Sequence, residues 1–486
     1  MKILLLNPPF LKKFSRPQRS PAVTKSGTIY FPMWLAYAAG VLMENGFEVV
    51  LIDAPADGYS IDDTITKVRK FQPQFIIIDT STPSIYNDVA VAGKLKEICP
   101  SSFITLVGTH VSALPEETLN IDKRIDAVAR HEYDYTLLDL ADTLTKNGSL
   151  SDVSGISLRD NGRITHNPQR PYIENLDELP FVSMVYKRFL KIENYFNPNA
   201  LYPMVTITTS RGCPFKCTFC VYPQTLMGSP FRTRSVENVV DEMEYIAENF
   251  PQAKAIFFED DTFTTIKKRC IEISNEILKR DIRISWTANA RADLDYETMK
   301  IMRKAGCRSL CVGFESGSQI ILDTMKKNIK FEKMFEFMKN AKQARILIHG
   351  CFMVGFPNET RGTMKQTLEL AKRLNPDTVQ FYPMMVYPGT EAYNWYKERG
   401  LLLTNDFSKW LTPKGLHNTV IRTEELSSED LVKFCDDARR SFYLRPKYIL
   451  YKSGQMMKHP REIKRTMKSL KTFTKYLLKG SDIQKS

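Results

Sequence analysis

The chain has 486 residues, 43% hydrophobic and 25% charged, with a net charge of +13. That length exceeds one hydrophobic core, so two or three domains are expected, and the composition is globular rather than disordered. No apolar run approaches the ~18–20 residues of a membrane span. About +10 of the charge lies between Arg445 and Ser486, so a general nucleic-acid surface is not indicated.

Residues 1–145 alternate short apolar runs with helical patterns. Ile3–Leu6, Val49–Asp53, Phe75–Asp79, Phe103–Val107 and Ala127–Ala129 predict buried parallel strands. Helices are predicted over Met33–Asn45, Ile61–Lys70, Asn87–Ile98 and Pro115–Leu119. The sum is an α/β domain with a doubly wound parallel sheet, whose ligand belongs at the strand carboxyl ends. The loops there carry Asn7-Pro8-Pro9, Thr80 to Ser84 with Thr82 at the centre, Gly108-Thr109-His110 and Arg130-His131-Glu132. No G-x-G-x-x-G follows the first strand, which argues against a nicotinamide dinucleotide. The first residues hold only the apolar core Ile3–Leu6 before Asn7-Pro8-Pro9, so no signal peptide is expected.

Leu6-Asn7-Pro8-Pro9, Gly108-Thr109-His110 with Ala113-Leu114-Pro115-Glu116, and the acidic Glu132 resemble the cobalamin-binding module that precedes many radical S-adenosylmethionine (SAM) cores. The resemblance implies Thr82, Gly108, His110 and Glu132 at a bound cobalamin. The D-x-H-x-x-G loop is missing, so no protein histidine is expected on the cobalt. The other reading is a domain that only supports the next one or shapes a substrate cavity, with His110 hydrogen-bonded to loop backbone.

Residues 146–200 are expected to be a connector. It contains a hairpin, Ile156–Arg159 and Arg163–Thr165, around Asp160-Asn161-Gly162. From 201 to 400 the strand–helix alternation returns. Met204–Ile207, Ala255–Phe258, Ile284–Ala288, Ser309–Gly313, Ile348–Val354 and Thr378–Phe381 predict a partial (β/α)6 barrel, with its chemistry at the strand carboxyl ends.

Just past the first of these strands comes Arg211-Gly212-Cys213-Pro214-Phe215-Lys216-Cys217-Thr218-Phe219-Cys220. Three thiolates at C-x3-C-x2-C spacing can hold three irons of a [4Fe–4S] cube and leave the fourth open. Nine cysteines in 486 residues are too few for a disulfide scaffold. Structural zinc wants a fourth ligand, and no second C-x2-C appears. Cys270, Cys307, Cys311, Cys351 and Cys435 are scattered and read as core residues.

The cysteine spacing, Phe219 and the Arg-Gly lead-in resemble the radical SAM superfamily. The resemblance implies that Cys213, Cys217 and Cys220 bind the cluster, and that the open iron takes the amino and carboxylate groups of SAM. Electron transfer then gives methionine and a 5′-deoxyadenosyl radical. It also implies Phe219 beside the adenine, Asn289 and Arg291 as ribose or carboxylate partners, Gly313 and Glu315 as the Gly-Glu motif, and Val354 in the adenine-side wall. Glu259-Asp260-Asp261 either contact SAM or substrate, or begin a helix. Thr206 to Cys213, Val221 to Thr225, Arg232 to Glu237 and Phe181 to Asn194 are similar to the hopanoid-biosynthesis-associated radical SAM proteins.

This narrower likeness implies rearrangement of a carbon skeleton, or modification of an unactivated carbon, on a hydrophobic or lipid-linked substrate. Cobalamin-dependent C-methyl transfer is the alternative, and a non-catalytic iron–sulfur or cobalamin sensor is the rival from another class. An electron donor such as flavodoxin or ferredoxin and a cytoplasmic setting go with it. Residues 401–486 are expected to be helical and basic. Ile463, Met467, Leu470, Thr474 and Leu477 share one face among lysines, which suits either a helix on the anionic inner membrane face or a helix packed on the barrel.

Overall fold

The computed structural model describes residues 1–160 and 162–458. The first sheet contains β1 (Lys2–Asn7), β2 (Glu48–Asp53), β3 (Phe75–Asp79), β4 (Phe103–Val107), β5 (Ala127–Ala129), β6 (Ile156–Asp160) and β7 (Arg163–His166). Their order is β2-β1-β3-β4-β5-β6-β7. The first five are parallel. Helices cover both faces of these strands, so Ile3–Leu6 and Ile76–Ile78 are continuous apolar runs, 0–1% exposed, rather than alternating ones. Strand order reverses between β1 and β3, which opens a ligand crevice between Asn7 and Thr80.

The hairpin read as part of a connector belongs to this sheet: β6 pairs antiparallel with β5, and β7 with β6. Its turn residue Asn161 lies outside the described residues. The mostly exposed β7 makes a polar edge.

The second sheet begins at β8 (Met204–Ile207). The short antiparallel pair β9 (Ser210–Arg211) and β10 (Arg232–Thr233) follows, then β11 (Ala255–Phe258), β12 (Ser285–Ala290), β13 (Cys307–Glu315), β14 (Leu347–Val354) and β15 (Thr378–Pro383). The six long strands run parallel in sequence order, β8 and β15 at the edges, so the barrel is open as expected. Phe314, Phe352 and Phe381 stack under the outer helices, with ring centroids 5.7 and 5.3 Å apart. The alternate positions Cys351, Met353, Gln380 and Tyr382 point inward and stay partly accessible, which marks a lumen.

Residues 401–427 hold no α-helix, and only the short 3₁₀ turn Phe407–Trp410 is helical. They run irregularly over the strand ends through the bridges Leu402–Ile421 and Leu411–His417. Phe407 and Trp410 bury themselves there, 2% and 0% exposed, against the turn Thr82–Ser84. Apolar residues in this stretch anchor turns, so they carry no 3.6-residue period. Helices Ser428–Tyr443 and Pro446–Lys458 follow. The helix expected over 463–477 lies outside the described residues. No helix among the described residues is long and apolar enough to cross a membrane.

Burial pushes the carboxyls of Asp53 and Asp79, at the carboxyl ends of β2 and β3, up to about 7. The unfolded chain sheds those protons near pH 4, so each group costs stability as pH rises toward 7, and the full cost is present above it. The melting temperature of Asp79→Asn relative to the unsubstituted protein should therefore rise more at pH 8 than at pH 5, measured by scanning calorimetry at both.

Candidate active site

Cys213, Cys217 and Cys220 lie on the loop after β9, at the carboxyl end of the barrel. Gly212 precedes them at φ 83°, where a Cβ would sit 2.1 Å from the Pro230 carbonyl oxygen, so only glycine permits the turn. The Cys213 amide donates to the Gly228 carbonyl at 3.3 Å. The Gln224 side-chain amide reaches the carbonyls of Cys217, Thr218 and Cys220 at 3.3, 3.3 and 2.8 Å, and its oxygen accepts from the Glu391 amide at 2.8 Å.

Burial, with Asp261 nearby, pushes the thiols of Cys213 and Cys220 up, so bare they stay protonated and a bound cation is what ionises them. Among the described residues no three His, Cys, Asp or Glu side chains converge on one metal ion. A cube takes each thiolate on a separate iron, so the three need not converge on one ion, and the C-x3-C-x2-C spacing suits that demand.

The strand ends gather around the loop. The Phe219 ring meets Phe356, two residues past Val354, edge-on at 5.4 Å, so the cysteine loop and the end of β14 come together. The ladder shifts register between Gly313 and Glu315. Glu315 turns back at φ 64°, and a Cβ on Gly313 would lie 2.0 Å from its Oε1. That oxygen accepts from Lys327 Nζ at 2.8 Å in a buried pair. Burial opposes the Lys327 charge, but Glu315 and Cys217 outweigh it and raise its pKa.

Arg291 is likewise spent locally. Its guanidinium donates to the carbonyls of Lys327 and Asn328 at 2.7 and 3.3 Å and stacks 3.8 Å over Phe215 of the cysteine loop. It braces the cysteine loop. The Asn289 amide donates to the Asp260 carbonyl at 3.0 Å.

The three consecutive acids split. Asp260 accepts from the Thr209 amide and hydroxyl and from the Ser210 hydroxyl, which locks the run into the cysteines. Glu259 and Asp261 pair with Arg19 at 2.6 and 3.0 Å. Three residues earlier, Arg16 is buried at the other sheet. It binds Asp88 at 2.6 Å, the Pro8 carbonyl at 3.0 Å, and the Asn7 side chain. One segment thus staples the carboxyl ends of both sheets together.

On the first sheet, Gly108 adopts φ 117°, and a Cβ there would lie 2.6 Å from the Thr80 carbonyl oxygen. His110 is 1% exposed; its Nδ1 lies 3.1 Å from the Thr82 hydroxyl, not loop backbone, and its Nε2 has no partner. Burial pushes its pKa down to about 3, so the imidazole is neutral. Glu132, expected at the cofactor, is instead taken on both oxygens. Oε1 accepts from Arg211 at 2.8 Å, and Oε2 from Arg232 at 2.7 Å and the Ile173 amide at 2.9 Å.

The Radical SAM superfamily pattern matches residues 207–371, and the B12 binding domain pattern matches residues 19–141. An uncharacterised methyltransferase of Pyrococcus horikoshii is 35% identical over 93% of this chain and 94% of its own. The chain belongs to the radical SAM superfamily. The hopanoid C-3 methylase of Methylococcus capsulatus is 24% identical, over 77% of this chain and 70% of that one. The radical SAM methyltransferase TsrM of Kitasatospora setae, solved with cobalamin and a [4Fe–4S] cluster, shares the fold at a TM-score of 0.70 and 16% identity, covering 92% of this chain and 91% of its own.

This radical SAM enzyme carries its B12-binding domain first, and its cofactors are a [4Fe–4S] cluster, SAM and cobalamin. The first sheet fits the last of these. A glycine brings the backbone close at Gly108, and the neutral His110 offers a free nitrogen to a macrocycle rimmed with amides. Arg16 and Arg19 were not legible as site residues, since their partners Asp88, Glu259 and Asp261 are remote in sequence, and Gln224 and Lys327 belong to no recognised ligand motif. Gln224→Ala should free the three carbonyls of the cysteine loop. The variant should then hold clearly less iron per chain than the parent after identical anaerobic reconstitution, measured by iron assay.

Proposed function

We propose that this cobalamin-dependent radical SAM enzyme is a C-methyltransferase acting on an unactivated carbon of a hydrophobic substrate. The observation that carries this reading is the meeting of the two strand-end faces. Arg16 and Arg19 on one segment reach both sheets, so the cluster loop and the cobalamin crevice open toward each other. The full-length likeness to a protein named as a methyltransferase supports it. Rearrangement of a carbon skeleton, the first expectation, has no counterpart among the relatives named above.

When bound, the cluster and SAM supply the 5′-deoxyadenosyl radical, and cobalamin carries the methyl group. The chain supplies position. Gln224 and Arg291 hold the cysteine loop, Phe219 and Phe356 frame the adenine side, and the 401–427 segment covers the crevice from water. The lumen offers Met353, Tyr382, Cys311 and Cys351 as side walls, a lining suited to an apolar body. A one-electron donor such as flavodoxin or ferredoxin completes the reaction.

The test is anaerobic turnover of reduced, reconstituted protein with SAM. Methyl transfer leaves S-adenosylhomocysteine, while radical cleavage leaves methionine and 5′-deoxyadenosine, so all three should accumulate. Methionine and 5′-deoxyadenosine alone would favour rearrangement. Cys217→Ala should form no 5′-deoxyadenosine; a sensor would keep its response in that variant.

A further inference from the structure

One loop of the B12-binding domain grips the cysteine loop from both sides. Arg211, two residues before Cys213, donates to Asp134 at 2.7 and 3.3 Å and to Glu132 at 2.8 Å. Its guanidinium also lies 5.3 Å from the Trp34 ring and 4.8 Å from Tyr37, both on the domain's first helix. Arg232, on the strand that returns beside the cysteines, gives one nitrogen to Glu132 at 2.7 Å and another to the Met227 carbonyl at 2.7 Å. The next residue, Gly228, accepts from the Cys213 amide. Arg211 and Glu132 are 1% and 4% exposed, so water does not compete for these charges.

The same loop touches the ligand face of its own domain. The His131 amide donates to the Ser112 hydroxyl at 2.8 Å, and that hydroxyl donates to the Gly108 carbonyl at 2.8 Å. His131 takes φ 58°, which turns the following Glu132 inward. The chain of contacts therefore runs from Gly108, through Ser112 and His131, to Glu132, Arg211 and Cys213.

We propose that Glu132 is a positioning residue. Its carboxylate, shared by Arg211 and Arg232, sets the cluster loop against the cobalamin face, so that cobalamin binding is felt at the cluster. The proposal rests on the two cofactors and is independent of whether the reaction is methyl transfer. Coupling of this kind is reciprocal, so cluster state and cobalamin affinity change together.

The test uses full-length protein with a reconstituted cluster, with and without hydroxocobalamin. The readouts are the midpoint potential and electron paramagnetic resonance spectrum of the reduced cluster, and the Kd for SAM. In the unsubstituted protein, cobalamin should shift the potential, alter the spectrum and change the SAM Kd by threefold or more. Glu132→Gln, which keeps shape but not charge, should still retain cobalt and melt cooperatively, yet lose most of that response. Asp134→Asn, which leaves Glu132 in place, should keep it and serves if Glu132→Gln does not fold. A cluster in the unsubstituted protein that ignores bound cobalamin overturns the proposal without any variant, as does a Glu132→Gln protein that responds in full. Protein that retains no cobalt refutes the cofactor assignment and the proposal together, and cobalt analysis tells that case from the others.

Discussion

Glu132 lies out of water between Arg211 and Arg232, with Asp134 completing the charge balance. Removing one partner of such a buried set leaves an uncompensated charge and costs about 3–5 kcal/mol. The two domains share one continuous apolar core, and this buried charge set lies within it. It fixes how they register on each other, because guanidinium–carboxylate geometry is directional and apolar packing is not. The cluster loop begins two residues later, so the constraint that joins the domains also aims the thiols.

The segment from Pro8 to Pro32 adds a second tie of the same kind. Arg16 is consumed at the first sheet and Arg19 at the second, 240 residues away along the chain at Glu259. The 401–427 segment seats on it: the Val23 amide donates to the Gly415 carbonyl at 2.7 Å, and His417 Nε2 lies 2.9 Å from the Ser20 carbonyl. These two segments thus meet over the crevice where the strand ends face each other. A radical enzyme needs such cover, because its intermediates survive only where water and stray hydrogen donors are kept away.

The strands and the cluster ligands were legible in the sequence because their signals are local. Continuous apolar runs mark strands buried on both faces, and three cysteines within eight residues carry their chemistry by spacing alone. Glu259, Asp260 and Asp261 look alike in sequence but separate once strand direction sends Asp260 toward Thr209 and its neighbours toward Arg19. Glu132 was expected at a cofactor because the resemblance to the cobalamin-binding module implies an acid there. Here the polar partners are arginines 79 and 100 residues away. Arg291 and Glu315 sit where the motif places them, but Lys327 and the cysteine loop claim their side chains. The hairpin's place in the first sheet was hidden because antiparallel pairing to β5 depends on the fold, not on the hairpin's own residues.

The central claim is that the cluster and cobalamin sit at facing strand ends within one covered crevice. Electron paramagnetic resonance of protein holding both the reduced cluster and cob(II)alamin tests it most directly. Two paramagnets that close should split or broaden each other's signals, and the account predicts a spectrum that no sum of the separate spectra reproduces. A spectrum equal to that sum, in protein shown by metal analysis to carry both cofactors, would contradict it.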